Sequence, residues 1–259
     1  MSGYEHSVRR ARLTLGATAL IATVVIGALA ALAYVLLGDG GSGGTGAASA
    51  LPAATEPTSH RPTTATVRPV MTPEKAEKVV LDVPTDQKDG VSTGFAHTTT
   101  GALSTAVYFW EEFAFLDDAK ARQQLKAVVA SDSADYVDHQ ISEVRRLREA
   151  AGLPPSGGTP AGITFSTAVN AARPRSLDTK GDVVQVWLNF DRYATKSDGG
   201  SDDSPFRDED TSLVLRWQGG SWRLSDDTAW RDELSYPVTY SPTSTHAWLD
   251  GWVQVRHAD

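Results

Sequence analysis

The apolar residues of this chain change their spacing once, near residue 160, and that change constrains the fold more than any other feature. Before it they recur every three or four positions, the period of helices buried on one face; after it they alternate, the period of half-buried strands. Leu103, Ala106, Trp110 and Phe113 predict a helix over 102–116. Ala121, Leu125 and Val128 predict a second over 117–130, with Arg122, Gln123 and Lys126 outward. Ser131, Asp132 and Ser133 offer N-cap oxygens to a third, which repeats Val137, Ile141, Val144, Leu147 and Ala151 and stops at Gly152 before Pro154 and Pro155.

Beyond the change, Ile163, Phe165, Thr167 and Val169 alternate with polar residues up to Pro174. Val184, Val186, Leu188 and Phe190 form the next strand, with Trp187, Asn189 and Asp191 on its other face. Leu213, Leu215 and Trp217 form a third, and Gly219-Gly220 turns tightly into a fourth begun by Trp222 and Leu224. Helices followed by an antiparallel meander define an α+β layer, three helices packed on one face of a sheet.

The amino-terminal region obeys a different constraint. Leu13 to Leu37 is a run of 25 residues without a charge. At about 1.5 Å of rise per residue a helix of this length spans a bilayer with some tilt. A cleavable signal has a shorter apolar stretch followed by a small-residue site. Here the triplets Ala28-Leu29-Ala30 and Ala31-Leu32-Ala33 sit inside the run, so the expectation is a retained anchor. Arg9, Arg10 and Arg12 precede the run and the next positive charge is Arg61, which places a cytoplasmic tail at 1–12 and everything after 37 outside. Within the span Ala19, Thr23, Gly27 and Ala31 line one face, a stripe that lets another helix, a second copy included, approach closely.

Residues 38–72 are rich in Gly, Ala, Thr and Pro and read as a disordered tether. Residues 73–90 connect it to a domain over 91–230, and 231–259 form an aromatic extension. The tether contains Gly38-x-Gly40-x-x-Gly43 and Gly40-x-Ser42-x-Gly44, but neither has the strand before it or the helix after it that its chemistry requires. The net charge of −8 leaves −10 on residues from Pro73 onward, because 1–12 carry +2 and 38–72 balance. A surface this acidic repels phosphate backbones and argues against nucleic-acid binding. The chain has no Cys, which excludes thiol catalysis, Cys-held zinc and disulfides.

The order of elements, with the hairpin Trp217-Gln218-Gly219-Gly220-Ser221-Trp222-Arg223-Leu224, resembles the nuclear-transport-factor-2-like superfamily. The entry segment Gly90-Val91-Ser92-Thr93-Gly94-Phe95-Ala96-His97-Thr98, with Gly101-Ala102, is similar to one in actinobacterial membrane proteins of integrative and conjugative elements. The resemblance covers roughly residues 90–230 and implies a cone of three helices on a curved antiparallel sheet. It also implies a role like that of assembly-factor subunits of type IV secretion and conjugation machines, which dock other subunits and catalyse nothing. Mce-associated proteins look similar in architecture.

Candidate chemistry is sparse. His97, before the first helix, is either a base at the mouth of the cone or a local hydrogen-bonding group beside a cap at Thr98 or Thr99, with Gly101 allowing close packing. Enzymes of the superfamily pair a pocket acid with a tyrosine, and the residues available for that are Asp191, Tyr193 and Tyr108. Asp198, Asp202, Asp203, Asp208, Glu209 and Asp210 cluster as calcium ligands do, without EF-hand spacing. No metal or cofactor is expected. In the tail Tyr236, Tyr240, Trp248 and Trp252 either anchor a partner or fold back over the sheet. The expected function is a non-catalytic, membrane-anchored scaffold of a cell-envelope complex, acting through an open sheet face and the aromatic tail. The alternative is a tethered enzyme or small-ligand binder using the cone as a pocket.

Overall fold

The computed structural model describes residues 75–76, 78–197, 202 and 205–258. The 1–12 tail, the span with Ala19, Thr23, Gly27 and Ala31, the tether, and Asp198 and Asp203 lie outside them. Among the described residues no helix is long and apolar enough to cross a membrane.

Three short strands come first, β1 (Lys78–Val80), β2 (Asp86–Lys88) and β3 (Val91–Thr93). The helices α1 (Thr99–Glu112), α2 (Asp118–Val128) and α3 (Ala134–Ala150) follow. Then come β4 (Ile163–Ser176), β5 (Val183–Lys196), β6 (Phe206–Gln218) and β7 (Ser221–Leu224). The tail contains a 3₁₀ turn (Thr228–Glu233), the short helix α4 (Thr245–Leu249) and β8 (Val253–Arg256).

Thr98 caps α1, its hydroxyl accepting from Gly101 N at 2.9 Å, so the helix starts three residues before the predicted 102. It also ends early, because Phe113 turns extended. One buried amide satisfies the broken end: Gln124 Oε1 accepts from Ala114 N and Gln124 Nε2 donates to the Glu112 carbonyl, both at 2.8 Å. Asp117 caps α2 by accepting from Lys120 N. Ser133 occupies the N-cap of α3 without capping it, because its hydroxyl faces Ser225 instead. Leu103, Ala106, Ala121, Leu125, Val128, Val137, Ile141 and Val144 are buried as their spacing predicts.

The sheet has six strands in the order β1-β8-β4-β5-β6-β7, all antiparallel neighbours except β1 and β8. Gly219 and Gly220 both have positive φ and make the two-residue turn from β6 to β7. Asp89-Gly90 does the same between β2 and β3, a hairpin absent from the sequence-based element list although its Asp-Gly pair is a known signal. The register shifts at Val169/Ala171, where β4 carries the extra residue, and again beside Phe190/Arg192, where the extra residue lies on β6 between Phe206 and Glu209; such bulges bend the strands that carry them.

The helices cover one face of this sheet, packing Val169, Val184, Val186, Leu188, Phe190 and Leu215 against α1 to α3. The other face is covered too. A second apolar cluster, Ala76, Ala171, Tyr240, Ala247, Trp248 and Trp252 with Trp187, lies under the carboxyl-terminal tail. This corrects two expectations. The sheet face expected to be open is occupied, and residues 231–259 are not an addition beyond the domain. Their β8 pairs with β4 through Ala171↔Gln254 and Ala172↔Val253, and with β1, which belongs to the expected connecting segment 73–90. Ala171 on β4 and Trp187 on β5 give this face apolar surface for the tail aromatics to bury, and Gln185 and Asn189 beside them on β5 are fully buried.

Candidate functional site

Successive side chains of a strand point to opposite faces, so Arg192, two positions after Phe190, turns toward the helices. There its guanidinium lies 3.9 Å from the centre of the Phe115 ring, 4.9 Å from Trp110 and 5.0 Å from Phe190. Phe165 stands edge-on to Phe115 at 5.5 Å. The rings attract the cation through their faces. Arg192 Nε donates to Thr167 Oγ1 at 3.1 Å. Among the described residues Arg192 Nη2 is buried without an acceptor, and so is the indole nitrogen of Trp110. A buried donor left unpaired costs about 1–3 kcal/mol.

Burial pushes the pKa of Arg192 down to about 9, against the pull of the Glu209 charge. The guanidinium therefore stays charged at neutral pH. Glu209 stands opposite Phe190 on β6, and burial, helped by the charge of Asp210, raises its pKa. Among the described residues no carboxylate is within ion-pair distance of Arg192. Trp110, Phe165, Thr167, Arg192, Phe206 and Glu209 are each half-buried, so the box reaches solvent at its rim.

The residues singled out in the sequence are scattered. His97 Nε2 is 2.9 Å from Asp182 Oδ1, and its ring stacks on Trp217 at 4.3 Å with Trp222 edge-on at 5.4 Å. Among the described residues no hydroxyl hydrogen-bonds to this imidazole. Gly101 is a packing residue: a Cβ there would fall 2.0 Å from the Ala96 carbonyl oxygen. Tyr193 donates to Asp191 Oδ2 at 2.8 Å, which raises the tyrosine pKa, and Asp191 Oδ1 accepts from Asp208 N at 2.9 Å. Tyr108 lies on α1 against Phe95 and His257, so the sheet does not bring it to Asp191 and Tyr193.

Of the acidic cluster, the described Asp202 and Asp210 are held by hydrogen bonds to β5. Asp202 Oδ2 accepts from Ala194 N at 2.8 Å, and Asp210 Oδ1 accepts from Asn189 Nδ2 at 3.0 Å. Among the described residues no group of three or more His, Asp or Glu is placed to hold a metal ion.

Of the four tail aromatics, Trp252, Tyr240 and Trp248 are buried, and Tyr236 is 67% exposed. Tyr240 packs on Trp248 at 5.5 Å and on Trp252 at 5.4 Å. The tail is seated on β5 through Ser235, whose N–H donates to Gln185 Oε1 at 3.1 Å and whose carbonyl accepts from Trp187 Nε1 at 2.9 Å. Leu234, Tyr236 and Val238 alternate along this extended segment with exposed side chains, and Leu249 is exposed on α4. Val238 N–H donates to Asp250 Oδ2 at 2.9 Å, which brings the row beside the end of α4.

Two pairings had no local signal. Glu111 accepts from Val169 N at the β4 bulge at 3.0 Å and from His257 Nε2 at 2.8 Å, joining α1, β4 and the end of the chain. Burial raises the Glu111 pKa. The inward direction of Arg192 was readable from strand alternation, whereas Trp110 and Phe115 reach it from α1 and the segment after α1. Comparison with protein families, with curated proteins and with solved structures finds no match to this chain.

Proposed function

We propose that this chain is a single-pass membrane protein with a cytoplasmic amino terminus. Its outer domain is a nuclear-transport-factor-2-like cone acting as a non-catalytic scaffold or assembly subunit of a cell-envelope complex of the conjugation or type IV secretion kind. The α+β arrangement, three helices on a six-stranded sheet bent by bulges, is compatible with such a cone. The observation that carries the docking role is the row Leu234, Tyr236 and Val238, held outward by backbone bonds to Gln185, Trp187 and Asp250, with Leu249 beside it. Large apolar side chains aligned and exposed in this way mark interaction sites more often than scattered ones do. The uncharged run with its flanking arginines supports the anchor, and the tether would set the domain's reach from the bilayer.

The test is crosslinking and recovery from native membranes, comparing the full chain with a variant carrying Leu234→Ser, Tyr236→Ser and Val238→Ser. Recovery of channel or ATPase components of a conjugation system, lost in the variant, supports docking through the row. Equal recovery by both moves docking elsewhere, and no enrichment of envelope proteins by the unaltered chain overturns the scaffold.

A further inference from the structure

The box around Arg192 holds more buried donors than the described residues satisfy. Two N–H donors from different elements, Arg192 Nη2 on β5 and Trp110 Nε1 on α1, are buried in it without acceptors among the described residues. They belong to one enclosure, since the guanidinium carbon is 4.9 Å from the centre of the Trp110 ring. Thr167 accepts from a different nitrogen of the guanidinium, Nε. The cation has no ion-pair partner among the described residues, and Glu209 acts on it only from a distance. The remaining walls, Phe115, Phe165, Phe190 and Phe206, are aromatic.

We propose that this box binds a small organic carboxylate with an apolar body, its oxygens accepting from Arg192 and Trp110 and its body lying among the phenylalanines. A guanidinium N–H favours a carboxylate because a charge-assisted hydrogen bond is about twice as strong as a neutral one, and the second oxygen is left to the Trp110 N–H. A carboxylate also supplies the missing counter-charge, which a neutral carbonyl does not. Aromatic walls favour a flat or short-chain body over a free inorganic anion, since desolvating the rings is repaid only by apolar contact. Glu209 sets the limit of the site, because its charge acts on Arg192 and opposes an anion bound beside it. This binding is independent of docking through the tail row, which lies on the other side of the sheet.

The test uses the full chain in an uncharged detergent and 4-fluorobenzoate as probe, followed by fluorine NMR, with 4-fluorobenzyl alcohol as its neutral counterpart. Saturable binding of the acid is expected, with affinity at least about ten-fold weaker for the alcohol, as loss of a charge-assisted hydrogen bond implies. Arg192→Lys and Trp110→Phe are expected to weaken the acid by a similar factor while keeping the charge or the ring, so neither empties the core. Arg192→Met is expected to abolish binding, with folding checked by circular dichroism. Absence of saturable binding overturns the proposal. So does equal affinity for the alcohol, or binding by the folded Lys and Phe variants that matches the unaltered chain.

Discussion

The indole N–H of Trp252 donates to the carbonyl oxygen of Val238 at 2.8 Å, closing the tail into a loop that covers the second face of the sheet. Trp252 is the largest of the fully buried side chains, 1% exposed. Trp252→Ala is expected to cost about 3–5 kcal/mol, the range for deleting a buried aromatic. Trp252→Phe keeps most of the packing and leaves the Val238 carbonyl unpaired. Urea unfolding measures both, and an alanine variant as stable as the parent would show that the tail is not seated.

Ending the chain at Arg231 removes β8, which is the sheet partner of β1 and the neighbour of β4. The truncated protein is expected to lose β1 from the sheet and expose Ala171, Trp187 and the buried Gln185 and Asn189. Binding of a dye specific for exposed apolar surface should rise and unfolding should broaden. Loss of a partner on truncation is therefore no evidence of docking through the tail; the three serine substitutions avoid this ambiguity.

Gly101→Ala reverses the usual helix trend. Alanine in place of glycine inside a helix normally stabilises by about 1 kcal/mol. Here the added Cβ would lie 2.0 Å from the Ala96 carbonyl oxygen, a backbone atom that cannot swing aside. The variant is expected to lose about 2–3 kcal/mol, within the range for overpacking. Thermal unfolding shows the sign directly, and a raised midpoint would mean that the entry segment is looser than its contacts.

Asp118 carries the acid sensitivity of the α2–α3 corner. Its carboxylate accepts from Gly157 N at 2.9 Å, from Ser156 Oγ at 2.8 Å and from Arg145. These bonds, that of Gly157 first, hold its pKa at about 2 against an ordinary 3.8. A carboxylate with a depressed folded pKa stabilises fully above its unfolded value and loses that contribution as pH falls through the folded one. Asp118→Asn is therefore expected to cost about 2 kcal/mol near neutral pH. The gap to the parent should close as pH drops from about 4 toward 2, read by denaturant titrations across that range. A gap unchanged with pH would remove the charge from the explanation.

Much of the framework was legible because it is local. The three helices and four long or hairpin strands follow from spacings within a few residues, and the turn at Gly219-Gly220 from a pair of residues able to take positive φ. Helix ends were less legible. Where α1 stops depends on Gln124, which lies beyond the helix and supplies both hydrogen-bonding groups the break requires. Of the candidate chemistry, Asp191 and Tyr193 meet because they are two apart on one strand. Tyr108 is not with them, since nothing local relates a helix face to a strand face.

The sequence by itself determined the change from helical to strand period, the faces that must be buried and the uncharged run near the amino terminus, all short-range properties of side-chain pattern. Only the tertiary structure decided that the tail joins the sheet and that Arg192 is enclosed by rings from α1, β5 and the segment between α1 and α2. Periodicity says that a face is apolar without saying what covers it. The cover is chosen by contacts between residues far apart in the chain, such as Ala171 with Gln254, whose energies appear only once both are in place.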